Sequence, residues 1–279
     1  MSNALFLFEG GIVLVEVNTA SQAEPILVER ADRVVTIIFN RPQTMNALDL
    51  NLLQNFLHVL KEITLDDDVD VVILKGSGKA FSSGGDIKTM LQGSNLADFN
   101  SIMDQISEIS ITLYSMPKLT ISAIHGAAAG LGLGLALATD YLMVEKNAKI
   151  AMNFIGIGLI PDGGSHFFLS QRIGEVKAKE LIWEGKVLTA EQALEKNLIH
   201  EVVEGDLEEA LQAKVSQWLQ SPTKAMIKTK KILVERNRPE LIKMLELEKY
   251  GQCNMRKTED HQEGIRAFLE KRKPVFKGK

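Results

Sequence analysis

The spacing of apolar residues changes several times along the chain. Residues 26–40 (ILVERADRVVTIIFN) are rich in β-branched side chains around a short Ala-Asp turn, which predicts two strands. Residues 48–64 place leucines and Phe56 at helical spacing, and residues 70–78 form a short apolar run that ends in glycine. The order predicted so far is therefore two strands, a helix and a buried strand.

The same alternation continues in the middle of the chain. An amphipathic helix is predicted over residues 96–114, a strand over residues 119–126, and a loop that enters a helix over residues 127–140. Two short strands follow in residues 141–152. Because strands and helices are interleaved, we predict an α/β core.

From Val176 onward the pattern is helical, and Pro239 separates two of the predicted helices. No low-complexity linker interrupts the chain. We therefore predict an N-terminal extension (residues 1–25), a core domain (residues 26–200) and a helical C-terminal region (residues 201–279).

Composition narrows the classes of partner. The 279 residues are 45% hydrophobic and 24% charged with a net charge of −4, so we expect neither nucleic acid nor an anionic membrane as partner. The early apolar stretch lacks a basic segment and is interrupted by Glu9 and Glu16, which argues against a signal peptide or a membrane span. A single cysteine, Cys253, favours a reducing, cytoplasmic location. The five scattered histidines predict no metal site.

Two glycine-rich loops are the first candidates for chemistry. Residues 80–88 (AFSSGGDIK) and 126–136 (GAAAGLGLGLA) each leave a predicted strand and enter a helix, where unpaired N–H groups can hold an anion or an oxyanion. A dinucleotide fingerprint is excluded for the second loop, because Leu135 stands where the last glycine belongs. Close helix packing remains an alternative reason for the small residues.

A third candidate is residues 158–168 (GLIPDGGSHFF). The Pro-Asp-Gly triplet is typical of a turn, since proline presets φ, aspartate bonds its own backbone and glycine accepts positive φ. Asp162 is thus either a turn former or a catalytic carboxylate mounted on a turn.

The motifs together resemble the enoyl-CoA hydratase/isomerase (crotonase) superfamily, from about residue 26 to residue 277. The resemblance rests on six blocks in the family's order: residues 35–49, 71–88, 117–144, 156–169, 185–203 and 263–276. It implies a spiral of ββα units and a helical C-terminal region (residues 201–279) that forms homotrimers or dimers of trimers. It also implies acyl-CoA substrates and no separate cofactor, because coenzyme A is part of the substrate.

The resemblance assigns roles to individual positions. The backbone N–H groups of Gly85 and Leu131 would polarise the thioester carbonyl and stabilise an enolate, a role for which preorganised donors are well suited. The positions that match coenzyme A contacts are Ala47, Ser83, Gly84, Asp86, Ile87, Lys88, Phe268, Lys273, Phe276 and Lys277. An exposed helix with basic residues near its C-terminus explains the last four equally well.

The chain departs from the family at the carboxylates. Family hydratases use two glutamates, and the matching positions here are Gly134 and Phe154. Isomerase branches instead carry one carboxylate after the proline of this segment, where this chain has Asp162. We therefore expect an enoyl-CoA isomerase that uses Asp162 in an apolar pocket, whose lining raises the carboxyl pKa. The alternatives are an enoyl-CoA hydratase of fatty-acid β-oxidation, a decarboxylase that needs only the oxyanion hole, and a non-catalytic acyl-CoA-binding protein.

Other polar residues have simpler interpretations. Asp86 is placed to cap the helix that follows, and Asp140 ends a helix before a strand. His125 precedes a glycine turn, and His166 stands on an apolar face where packing is its more common role. Asn46 is expected to fix the turn before the first helix.

Overall fold

The computed structural model of the chain describes residues 24–86 and 96–279, with side chains in the second range from residue 99. Within those ranges, no helix combines the length and apolar character that crossing a membrane requires.

The first two strands form the predicted hairpin. Strand β1 (Ile26–Ala31) pairs antiparallel with β2 (Val34–Phe39), and Asp32 takes a φ of 51° in the turn between them. Asp and Asn tolerate this left-handed conformation better than most residues. Alternate residues of β2 are buried, as in a strand with one face on the core.

The main sheet has six strands in the order β1-β2-β3-β4-β6-β9. All neighbours after the first pair run parallel. The further strands of this sheet are β3 (Val71–Gly76), β4 (Leu119–Ile124), β6 (Tyr141–Glu145) and β9 (Glu201–Val203). Its central strands β3 and β4 are buried along almost their whole length because both of their faces are covered.

Each face of the main sheet has its own hydrophobic core. Val72 and Leu74 of β3 point into the larger core, which also contains Phe56. Val71 and Ile73 point to the other face and join a smaller core with residues of the C-terminal region. The alternation follows from the two-residue period of a strand.

A small second sheet lies beside the glycine-rich segment. Its strands β5 (Ala127–Ala129), β7 (Lys149–Ala151) and β8 (Val187–Thr189) are joined in the order β5-β7-β8. The helices of the described residues are α1 (Leu50–Leu65), α2 (Leu96–Ser115), α3 (Gly130–Leu137), α4 (Ser165–Glu184), α5 (Ala190–Glu195), α6 (Leu207–Leu219), α7 (Thr223–Met255) and α8 (Glu259–Leu269). The prediction of an α/β fold with a helical C-terminal region is confirmed.

Two local expectations were wrong. Helix α7 continues through Pro239, so the two helices expected there are one. Buried Val234, Leu241 and Leu245 on either side of the proline pack against the rest of the fold, which offsets the lost backbone hydrogen bond. The region after Val176 is also not purely helical, because β8 and β9 lie in it and β9 completes the main sheet.

Candidate active site

A β-bridge between Leu48 and Gly85 holds one side of the first glycine-rich loop. Leu48 N–H donates to the Gly84 carbonyl at 2.8 Å, and Asp86 N–H donates to the Leu48 carbonyl at 3.1 Å. In such a parallel bridge the residue between the two bonded groups turns its own N–H and C=O to the opposite side. The N–H of Gly85 therefore points away from Leu48, and Gly85 itself lines the cavity described below.

The second donor predicted from the sequence lies at a helix start. Leu131 is the second residue of α3, so its N–H belongs to the first turn, which has no acceptor within the helix. Gly130, just before it, has a φ of 51°, a conformation that favours glycine.

The two loops touch each other directly. Ala129 N–H donates to the Ser82 carbonyl at 3.0 Å. Gly84 has a φ of 93°, and a Cβ on it would lie 2.7 Å from the Ala129 carbonyl oxygen. Only glycine fits there, and this contact brings Gly85 and Leu131 to the wall of the same cavity.

That cavity has a volume of about 370 Å³. One wall comes from α2, through Phe99, Ile102, Met103 and Ile106, and another comes from Phe154, Ile157 and Leu159. Its acidic lining residues are Asp49, Asp86 and Asp162, and its basic lining residue is Arg256, within the described chain. The site is a mostly apolar chamber with two loops of backbone donors.

Asp162 occupies the turn that its sequence predicts. Gly163 and Gly164 follow it with φ values of 64° and 80°, and Ser165 N–H donates to the Asp162 carbonyl at 3.1 Å. The turn leads directly into α4 and leaves the Asp162 side chain at the cavity wall, only 8% exposed. The turn and the mounted carboxylate are thus the same feature.

The two carboxyl oxygens of Asp162 have different surroundings. Oδ2 accepts a 3.2 Å hydrogen bond from the Gln252 amide, whereas Oδ1 is buried and accepts none from the part of the chain that the structure describes. Burial, together with the negative charge of Glu248, raises the pKa of Asp162 to about 8. The expectation of a carboxyl with a raised pKa therefore agrees with the structure.

Sequence reasoning missed Glu248 and Gln252, which come from α7. Glu248 is buried and accepts from Gly164 N–H at 2.7 Å and from His166 N–H at 3.0 Å, so it caps α4 from another helix. The His166 ring also contacts it, with Nδ1 2.7 Å from the carboxylate. The one sequence signal was a carboxylate and an amide four residues apart within an apolar helical pattern.

The positions of the two absent glutamates are filled. A Cβ at Gly134 would lie 2.5 Å from Ser165 Oγ, and Ser165 donates to the Asp162 carbonyl at 2.6 Å. Phe154 lines the cavity with its ring beside Gly130. A longer side chain at position 134 would require Ser165 to move, whereas position 154 faces the cavity with an aromatic ring in place of a carboxylate.

Arg41 organises the loop before the first helix. It donates to the Ala47 carbonyl at 2.5 Å and forms ion pairs with Asp86 at 3.2 Å and with Asp49 at 3.0 Å. Buried Asn46 bonds the carbonyls of Ser77 and Ala80, which agrees with its expected role in fixing the turn.

The predicted coenzyme A contacts fall into three groups. Ser83, Gly84, Asp86 and Phe268 line the cavity, and Ala47 is buried next to the lining residue Leu48. Ile87 and Lys88 lie outside the described residues.

The third group is in the C-terminal tail. Lys273, Phe276 and Lys277 do not line the cavity, and Lys277 N–H instead donates to Asp260 at 2.6 Å.

The other predicted structural residues behave as expected. Asp140 accepts from Thr120 N–H at 2.8 Å and from Lys230 at 2.8 Å, which ties α7 to the sheet. His125 Nε2 lies 3.1 Å from the Gly78 carbonyl oxygen. Among the described residues, no cluster of three or more His, Cys, Asp or Glu side chains could hold a metal ion.

Comparisons with known proteins place this site in a family. The family model described as enoyl-CoA hydratase/isomerase matches residues 29–279. A Bacillus subtilis protein named as an enoyl-CoA hydratase/isomerase, YhaR, is 49% identical over 243 residues, which cover 87% of this chain and 95% of that protein. The trans-2-decenoyl-[acyl-carrier-protein] isomerase of Streptococcus mutans is 29% identical, covering 91% of this chain and 98% of its own length.

A solved structure agrees with these sequence matches. The crystal structure of an enoyl-CoA hydratase from Mycobacterium avium subsp. paratuberculosis superposes with a TM-score of 0.82 at 28% identity, covering 91% of this chain and 98% of that chain. The crotonase-type fold predicted from the motifs is therefore confirmed. The match to the family model covers nearly the whole described length of the chain. The chain therefore belongs to the enoyl-CoA hydratase/isomerase family.

Proposed function

We propose that the protein is an enoyl-CoA isomerase that moves a double bond with Asp162 as its single proton carrier. The observation that carries this proposal is the position of Asp162, which lines the cavity and whose buried Oδ1 accepts no hydrogen bond from the described chain. A carboxyl group at the wall of an apolar chamber, with one oxygen that accepts no hydrogen bond, is suited to exchange a proton with a ligand.

The reaction balances with these groups alone. The Asp162 carboxylate takes a proton from C2 of a 3-enoyl thioester, and the electron pair moves through C1 onto the thioester oxygen. The resulting dienolate carries its negative charge on that oxygen, where the N–H groups of Gly85 and Leu131 would stabilise it. The protonated Asp162 then returns the proton to C4, so that the double bond ends between C2 and C3.

The distribution of carboxylates favours isomerisation over hydration. Hydration needs one group to activate water and another to deliver a proton. The other two acids of the cavity, Asp49 and Asp86, are each paired with Arg41, and Glu248 does not line the cavity. One available acid suffices for a proton shuttle but leaves hydration without its second group.

The proposed binding site for coenzyme A follows from the family and from the position of the loops. Coenzyme A would lie along Ala47, Ser83, Gly84 and Asp86, with Phe268 beside it. Ile87, Lys88 and the tail residues Lys273, Phe276 and Lys277 remain proposed contacts to its nucleotide end.

A homotrimer or dimer of trimers is part of the proposal. Large apolar side chains on the helical surface support it, such as Trp183 at 68% exposed and Tyr250 at 71% exposed. Light scattering during gel filtration would measure the assembly directly.

Three alternative functions remain, and substrates separate them. A hydratase is favoured by the name of the mycobacterial structure, whereas the streptococcal isomerase name favours isomerisation. A decarboxylase would use only the oxyanion hole on a carboxyacyl-CoA. A non-catalytic acyl-CoA binder would bind all of these thioesters and convert none.

The test compares wild type with Asp162→Asn on 3-hexenoyl-CoA and on crotonyl-CoA. We expect wild type to isomerise the first substrate and the variant to lose about 10²–10⁴-fold in kcat, as is usual when a positioned acid or base is removed. Asp104→Asn serves as control, because Asp104 lies outside the cavity lining and is largely exposed.

The outcomes are distinct. Isomerisation that survives Asp162→Asn would remove Asp162 from the mechanism. Rapid hydration of crotonyl-CoA by wild type would instead favour the hydratase.

A further inference from the structure

Two side chains of α7 approach Asp162 from behind the cavity wall. Glu248 and Gln252 are four residues apart, so they lie one turn apart on the same face of the helix. Both are about 2% exposed. Gln252 bonds the Asp162 carboxylate, and neither residue lines the cavity.

The orientation of the Gln252 amide is fixed by a second contact. Its Nε2 donates to the Ile160 carbonyl at 2.6 Å and to Asp162 Oδ2 at 3.2 Å. The reversed amide would turn an oxygen toward the Ile160 carbonyl oxygen, which is repulsive. The amide can therefore offer only N–H to Asp162, and a donor favours the ionised carboxylate.

Glu248 is held by hydrogen bonds as well, and its effect on the ionisation of Asp162 is opposite to that of Gln252. Its two oxygens hold Gly164 N–H and His166 N–H, the residues that follow the Asp162 turn. Its negative charge opposes ionisation of Asp162 and so raises the pKa of that carboxyl.

Resting on the isomerase function proposed above, we propose that Gln252 and Glu248 are positioning residues with opposite effects on the proton of Asp162. Gln252 holds Oδ2 and leaves Oδ1 as the oxygen that carries the proton. Glu248 keeps a negative charge behind the base, which favours taking the proton from C2. Gln252 limits that effect, so that the proton can be returned at C4.

Other charged groups around Asp162 are few. His166 on α4 contacts Glu248, and Arg256 stands four residues beyond Gln252, just after the end of α7. Asp49 and Asp86 line the cavity as well and are paired with Arg41. The wall from α2 adds Ile106 and the hydroxyl of Ser110, which bonds the Gly163 carbonyl.

The test measures the Asp162 proton in two independent ways. The first is the pH profile of kcat/KM for isomerisation, and the second is a ¹³C NMR titration of labelled aspartate carboxyls, with Asp162→Asn assigning the resonance. We expect Gln252→Met to raise the Asp162 pKa by about one pH unit and to lower kcat/KM at neutral pH about tenfold. Glu248→Gln should lower the pKa by a similar amount.

Glu246→Gln is the matched control, because it makes the same change at an exposed position of the same helix. It should leave both readouts unchanged. Glu248→Gln also weakens the cap of α4, and if that variant does not fold, Gln252→Met carries the test by itself.

Different results would contradict the isomerase function and the roles assigned to Gln252 and Glu248. Shifts in the same direction for both variants, or no shift in Gln252→Met, would overturn the roles assigned to these two residues. NMR shifts in the expected opposite directions, in a protein that does not isomerise 3-hexenoyl-CoA, would overturn the isomerase function and leave the arrangement around Asp162 intact.

Discussion

Ser165 fills the space beside Gly134. Its Oγ would lie 2.5 Å from a Cβ at position 134, and the same hydroxyl donates to the Asp162 carbonyl at 2.6 Å. Position 134, where family hydratases have a glutamate, thus packs against the serine that supports the turn of Asp162. This contact yields a prediction about stability that needs no substrate.

We expect Gly134→Ala to destabilise the protein by about 1–2 kcal/mol, because overpacking a buried site costs more than the gain from alanine in a helix. Urea unfolding would measure the change. In the Ser165→Ala background the obstructing oxygen is gone and the remaining Cβ lies 3.8 Å away, an ordinary contact. There the same substitution should be neutral or stabilising, and additive effects of the two changes would contradict the contact.

The proposed isomerisation should become faster with rising pH. Asp162 must be ionised to take a proton, and its pKa is about 8 in the folded protein. Below that value the ionised fraction falls tenfold per pH unit, so kcat/KM should rise about tenfold per unit and level off above about pH 8. Steady-state kinetics on 3-hexenoyl-CoA would show this, whereas a profile flat from pH 6 to about 9 would be incompatible with Asp162 as base.

Removing the Asp162 carboxylate should stabilise the fold. The pKa of Asp162 rises from an ordinary 3.8 to about 8 on folding, so between these values the unfolded chain releases a proton that the folded chain keeps. Stability is therefore lost as pH rises through this window, by at most about 1.4 kcal/mol per pH unit. Asp162→Asn lacks this titrating group, so its free energy of unfolding should rise steadily relative to that of wild type from pH 5 to about 8.

Urea unfolding of both proteins at several pH values measures that difference. Asp104→Asn provides the control, since its difference from wild type should vary little with pH. A constant difference between wild type and Asp162→Asn would show that the carboxyl ionises normally in the folded protein.

The proposed oxyanion hole makes a separate prediction. Gly85→Pro removes one of its two proposed N–H donors, and we expect kcat to fall about 10²–10³-fold. Gly85→Ala keeps the N–H and serves as the comparison. Circular dichroism would establish that both variants fold, and equal turnover by two folded variants would mean that the Gly85 N–H is not a donor.

Local patterns predicted most of the fold and half of the site. The hairpin, the first helix, the buried strands and both glycine-rich loops depend on residues close together in sequence, so their spacing was informative. The same holds for the Pro-Asp-Gly turn that carries Asp162.

The remaining features depend on contacts between distant segments. Nothing near Glu248 indicates that it caps a helix that begins at Ser165, because the match is made only in three dimensions. The continuity of α7 through Pro239 likewise depends on apolar contacts to other parts of the fold. Propensity correctly identified the proline as unfavourable for a helix, and tertiary packing outweighed it.

The contact between Gly84 and Ala129 limits how this protein can change over evolutionary time. Because a side chain at position 84 would strike a backbone atom, no new residue at position 129 could make room for it. The two loops must instead diverge together, through a shift of the backbone that both share. Substitutions should therefore accumulate in the apolar cavity walls, where new specificities can arise without disturbing the proposed oxyanion donors.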